Sequence, residues 1–230
     1  MIRRLLPFAL VAPVLLAAGG ARAGTPGWYF AGKGGPSYTA LGGLKATQSG
    51  NTLTKTSSGN VVGAFGMAAG YEWMYRYHIP LTTELEFMNR TEVQYNVSPL
   101  MSSGTSGALA SSAQNVTTLA KVYWHFPVGS DRWWPFVSGG LGWARTTIKS
   151  EYTPSGGSPV KTRATVDTPA WSVGAGATFK LGPRVMNDVE LRYVDSGKMD
   201  WGMASGHDVQ SRAVGGLAST EVVFSLRYMF

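Results

Sequence analysis

The chain predicts an all-β fold, an eight-stranded antiparallel up-and-down transmembrane β-barrel with short periplasmic turns and long extracellular loops. Three observations predict it: apolar residues recur at every second position in eight runs, the links between runs alternate between short and long, and Trp and Tyr gather near the ends of the runs. The runs fall near 27–38, 60–73, 80–95, 114–126, 134–147, 168–180, 186–195 and 218–230. Short links cover 74–79, 127–133 and 181–185, and long links cover 39–59, 96–113, 148–167 and 196–217. The long links are rich in Gly, Ser, Thr, Asn and Pro, as in 102–107 and 154–159. That composition builds no core, so they are expected as surface loops.

Ahead of the first strand, Met1-Ile-Arg-Arg is a positive start, Leu5 to Ala18 an apolar stretch, and Ala21-Arg22-Ala23 a small-residue cleavage site. Together they read as a secretory signal peptide, so residues 1–23 are expected to be removed and 24–230 to form the barrel domain. Cleavage takes Arg3, Arg4 and Arg22, so 20 basic against 13 acidic residues become 17 against 13, a balance of +4. That is too mild and too scattered for nucleic acid as a partner. Cysteine is absent, which excludes a disulfide framework and thiolate chemistry.

In the second run Val61, Phe65, Met67, Ala69 and Tyr71 share one face, against Ala64, Gly66, Ala68, Gly70 and Glu72. The third run sets Leu81, Thr83, Leu85 and Phe87 against Thr82, Glu84, Glu86, Met88, Arg90 and Glu92. The fifth opposes Val137, Leu141 and Trp143 to the small Ser138, Gly140, Gly142 and Ala144, and the seventh opposes Val189, Leu191 and Tyr193 to Asp188, Glu190 and Arg192. Period two does not say which face is inside. A soluble lipocalin-like barrel would enclose the apolar one. Three features place charges inside instead: both signs are present and can pair, the apolar face continues from strand to strand, and aromatics mark the strand ends. The expected lumen ion-pair network is Glu72, Glu84, Glu86, Arg90, Glu92, Lys121, Asp188, Glu190, Arg192, Glu221 and Arg227. Trp28, Trp73, Trp124, Trp134, Trp143, Trp171 and Tyr193 are read as the aromatic girdle, with Tyr29, Phe30, Phe126, Trp133, Phe179, Tyr228 and Phe230 also at the short-turn end and Tyr38 and Tyr95 at the other.

Chemistry is thinly supported. His78 falls in a short turn, His125 near the end of the fourth run, and His207 beside Asp208 in the last long link, with Ser205 and Ser211 nearby. Adjacent residues of an extended segment point opposite ways, so His207 and Asp208 alone make no catalytic pair. No two histidines have ligand spacing, so neither a metal nor a cofactor is implied.

The last ten residues, Glu221-Val-Val-Phe-Ser-Leu-Arg-Tyr-Met-Phe230, place Val222, Phe224, Leu226, Tyr228 and Phe230 on one face. This ending resembles the signature by which outer-membrane barrels are recognised for insertion, so these five residues are expected to act as an assembly signal. Other segments extend the likeness: Gly27-Trp-Tyr-Phe-Ala-Gly, Thr83-Glu-Leu-Glu-Phe87, Val122-Tyr-Trp-His-Phe-Pro127, Trp134-Pro-Phe-Val-Ser-Gly-Gly-Leu-Gly142, Trp171-Ser-Val-Gly-Ala-Gly176 and Val189-Glu-Leu-Arg-Tyr193. The chain is similar to the small OmpA-like and opacity-type outer-membrane β-barrels of Gram-negative bacteria. The resemblance implies export to the bacterial outer membrane; the peptidoglycan-binding domain of the larger members is not expected, because the strands are read as running to the last residue. The partners it implies are the lipid bilayer with lipopolysaccharide, the outer-membrane assembly machinery, and host or cell-surface ligands. The function expected is a structural or surface role, with extracellular loops available for adhesion. These loops carry Lys45, Lys55, Lys149, Lys161, Arg163, Lys198 and Arg212. A small porin-like channel is the alternative, and a lipid-modifying enzyme is weaker still.

Overall fold

A computed structural model describes residues 27–48, 51–55, 58–102, 105–130, 132–154, 160–203 and 211–230. The expected signal segment 1–23 lies outside them, as do Ser205, His207 and Asp208. The strands are β1 (Trp28–Gln48), β2 (Asn51–Lys55), β3 (Ser58–Glu72), β4 (Leu81–Ser102), β5 (Thr105–His125), β6 (Trp133–Pro154), β7 (Val160–Lys180), β8 (Val185–Met203) and β9 (Ser211–Met229). One helical turn, α1 (Met74–Tyr77), joins β3 to β4 and ends on His78 in the left-handed conformation, φ 56°. Every neighbouring pair is antiparallel, and β1 also pairs with β9, which closes an eight-stranded barrel. The short β2 hangs from the far end of β1 in line with β3.

The wall puts its apolar side chains outside. Phe65, Leu85, Leu141, Leu191, Phe224 and Leu226 are all more than half exposed, whereas Glu86 and Arg192 are at 0% and 1%. An inverted soluble barrel would show the reverse. Outward apolar and inward charged residues are what hydrocarbon on one side of a closed wall requires.

At the closing seam, the Cβ of any residue replacing Gly35 would stand 1.9 Å from the carbonyl oxygen of Val222. Only glycine lets β9 come this close to β1 there. The next residue, Pro36, has no N–H to give to the ladder, and the β1–β9 pairing steps from Gly34↔Phe224 to Ser37↔Glu221 across these two positions.

The strands run well past their expected ends. Most of the four long links are strand: β1 reaches Gln48, β4 and β5 meet near Ser102 and Thr105, β6 reaches Pro154, and β8 reaches Met203. Strands of 19 to 22 residues are roughly twice the 9–11 that a tilted strand needs to cross a bilayer. The long connections are therefore paired ribbon more than irregular loop. Outward positions there are polar, as at Lys149, Arg163 and Asp167, and the inward apolar residues are few, so these extensions leave little period-two signal.

Above the membrane the barrel divides. The β3–β4 ladder stops at Ala64↔Arg90 and the β7–β8 ladder at Trp171↔Asp195, while the other ladders continue upward. Among the described residues no ladder joins β8–β9–β1–β2/β3 to β4–β5–β6–β7 beyond those points. Bulges between Arg90 and Val93 and between Asp195 and Lys198 mark the same level. The two sheets face each other across apolar side chains: Met199, Leu217 and Val62 from one, and Ala113, Ile148, Ala164 and Val166 from the other. The upper part is thus a small sandwich set on a barrel.

Candidate functional site

The lumen below this sandwich is packed with ionised side chains placed by alternation on six strands, β1, β3, β4, β5, β8 and β9. Glu221 on β9 accepts hydrogen bonds from Arg90 Nε at 2.5 Å and Arg192 Nε at 2.8 Å. Arg192 Nη1 donates to both oxygens of Glu86 at 2.7 and 2.8 Å. Glu86 also accepts from Lys33 at 2.8 Å and lies 3.7 Å from Lys121, and Lys121 donates to both oxygens of Glu190 at 2.9 and 2.8 Å. Lys33 further donates to Glu84, whose carboxylate is held by the hydroxyls of Tyr29 and Tyr123, each at 2.9 Å. Lys33, Arg90, Lys121 and Arg192 balance Glu84, Glu86, Glu190 and Glu221, four charges of each sign. At the short-turn end Arg227 forms a second group with Glu72 at 2.9 Å and Asp188 at 2.6 Å, and Thr178 bonds both Arg227 and Asp188.

Several positions differ from the sequence reading. Glu92 is not in the lumen: the bulge after Arg90 reverses the alternation, and Glu92 turns outward to Lys149 at 3.2 Å and to the Ser112 hydroxyl. Those two partners, Ser112 foremost, hold its carboxyl below the ordinary carboxylate range. Arg90 reaches across the lumen to Glu221 and also bonds Asn115 and Thr117. Tyr29 belongs to the lumen and not to an outer belt, since β1 begins with Trp28 facing out. The small residues of β6 and β7 make room for lumen charges. A Cβ at Gly140 would lie 2.8 Å from Lys121 Cγ and one at Gly174 2.8 Å from Glu190 Oε1, and the Ser138 hydroxyl donates to Glu190 at 2.5 Å. Glycine and serine leave room that the Lys121–Glu190 pair occupies.

Sequence reasoning missed Lys33, Tyr29 and Tyr123. All three keep the inward parity of their strands, but Gly32, Gly34 and Gly35 flatten the pattern around Lys33, and tyrosine reads as a girdle residue when only its type is weighed. His125 is buried, with Nε2 3.0 Å from the Thr82 hydroxyl and its ring edge-on to Phe136. Ser211 lies at the start of β9, and His78 caps α1. Among the described residues no group of His, Asp or Glu is arranged to hold a metal.

Aromatic rings ring the outer wall at two levels. Trp28, Tyr71, Trp73 and Tyr77 touch in series at the short-turn end, with centroids 5.3, 5.1 and 5.5 Å apart. Trp124 and Trp133 are exposed at that level, whereas Trp134, expected in the girdle, is half-buried and shares the inward parity of Phe136 and Ser138 opposite Thr178, so it is not part of the outer belt; Trp143 is exposed and Trp171 meets Tyr193 at 5.6 Å at the upper level. Phe230 packs on Phe30 and Tyr228 at 5.6 and 5.7 Å, and its N–H donates to the Trp28 carbonyl at 3.0 Å, so the closing seam ends on it.

A closed eight-stranded barrel with a greasy outer wall and an ion-paired bore is an outer-membrane protein by class. The chain belongs to the family described as outer membrane protein beta-barrel domain, which it matches over residues 8–230. It is 24% identical over 198 residues to the outer membrane protein PagN of Salmonella typhimurium, covering 82% of each chain. Its fold is similar to that of OprG of Pseudomonas aeruginosa, with a TM-score of 0.51 at 16% identity over 89% of this chain and 98% of the other. A looser similarity, TM-score 0.47 at 9% identity over 90% of this chain and 98% of the other, is to the outer membrane protease OmpT of Escherichia coli. The protein resides in the outer membrane, where it contacts the bilayer and presents its upper part at the surface.

Proposed function

We propose that this protein is a non-conducting, non-catalytic surface barrel whose two-sheet crown makes adhesive or ligand contacts outside the cell. One observation carries the reading: a charge-balanced network fills the bore and an apolar layer closes it above, leaving ions no wetted path. The eleven lumen residues named from the sequence, less Glu92 and joined by Lys33, then serve to hold strand register. Exposed function on a rigid scaffold is the usual division of labour, and here the scaffold rises above the bilayer with it.

The test shortens one sheet of the crown without disturbing the barrel. Replacing residues 97–109 and 151–161 by two-residue turns cuts the ribbon at paired positions. Bacteria displaying this variant should lose adherence to cultured epithelial cells relative to the full chain at equal surface abundance. Equal adherence would remove the crown from the function.

A further inference from the structure

We propose that a groove in the outer wall at the short-turn end binds one phospholipid of the periplasmic leaflet, with its phosphate on Arg76. The groove is a hollow of about 720 Å³ over β3, β4, β5 and α1. Register explains its shape. Leu85 stands between Ala69 and Ala120, so the wall there carries a ridge with a dip on either side, and one pair nearer the periplasm Thr83 lies between Tyr71 and Val122. The series Trp28, Tyr71, Trp73 and Tyr77 fences the periplasmic side with rings set largely edge to face. Trp73 is fixed in place because its indole N–H donates to Thr83 Oγ1 at 3.0 Å.

Hydrocarbon fills any outward hollow in a barrel wall, and apolar contact alone does not prefer one lipid molecule to another. Retention of a particular molecule needs a fixed shape and a polar anchor, and this hollow has both. Arg76 is exposed at the rim on α1, its guanidinium 5.7 Å from the Tyr77 ring, with no carboxylate partner among the described residues. It stands at the interface where the headgroup phosphates of the periplasmic leaflet run. A guanidinium holds a phosphate by paired, charge-assisted hydrogen bonds, and the acyl chains would then lie along the dips beside Leu85. Lipopolysaccharide does not fit this position, because its phosphates lie at the opposite face of the membrane.

Native mass spectrometry of the full, detergent-folded protein titrated with phosphatidylglycerol tests the assignment. The expected result is one retained lipid, with diacylglycerol of the same chains held far less. Arg76→Ala should weaken retention roughly tenfold. Arg184→Ala, at an exposed turn arginine outside the groove, should leave it unchanged. Ala69→Leu, which fills a dip while keeping the charge, should also weaken retention, with Ala120→Leu as the second variant should the first not fold. Heat-modifiable migration on a detergent gel verifies that each variant is folded. The proposal is overturned if diacylglycerol is held as well as phosphatidylglycerol, if both arginine substitutions act equally, or if neither leucine has an effect.

Discussion

Arg192 shows why single residues in this bore carry large effects. Its guanidinium is sealed from solvent and serves two carboxylates, Glu86 and Glu221, on strands far apart in the chain. Taking ions out of water costs several kcal/mol each, and mutual pairing is what offsets that cost. Arg192→Ala would strand two buried anions. It should lower stability by about 3–5 kcal/mol, seen as a reduced urea midpoint for the barrel in lipid vesicles. Glu92→Ala is the contrast. Its Lys149 bridge is about half exposed on both sides, so the loss should stay below about 1 kcal/mol in the same assay. If the two variants unfold alike, the bore is hydrated and the network is not what holds it. Arg90→Glu acts through Glu221, its partner at 2.5 Å, and a compensating Glu221→Arg should recover part of the lost stability.

At the scale of elements, the seam between β1 and β9 is the point where closure is decided. A strand pair from opposite ends of the sequence has to meet in one register, and Gly35 gives the close approach that register demands. Gly35→Val should leave export unaffected yet abolish the heat-modifiable, fast-migrating form on a detergent gel, because the Cβ meets the Val222 carbonyl. A fully heat-modifiable Gly35→Val barrel would mean that the seam has slack. Phe230 sits at the other end of that seam, on Phe30 and the Trp28 carbonyl. Phe230→Ala should therefore slow insertion into vesicles made with the assembly machinery, and wild-type kinetics would separate the residue from any signalling role.

For the whole molecule, the decisive property is that the cylinder is filled in two tiers, ions below and apolar side chains above. Reconstituted in a planar bilayer, the protein should show no sustained conductance, whereas Met199→Gly with Leu217→Gly, which thins the upper tier, should still conduct poorly because the lower tier remains. Steady channels from the unaltered protein would establish the porin-like alternative. The crown that rises from these tiers is a pair of sheets with their own apolar contact.

The amino-acid order alone determined the strand count, the closed class of the sheet and which face meets lipid, because period-two alternation and mixed-sign charges are local properties of a wall between hydrocarbon and a narrow bore. Ten of the eleven charged residues it named for the lumen are buried in the structure. Glu92 escaped because a bulge is a pairing event between β4 and β5, and no residue type announces it. Lys33, Tyr29 and Tyr123 joined the network only when the barrel brought β1, β4 and β5 around one axis. The height of the strands, the split into two sheets and the groove beside Arg76 likewise belong to the tertiary structure. Each depends on where ladders between distant segments stop, and strands whose outer face is polar and whose inner face holds only a few apolar residues leave little hydrophobic period to read.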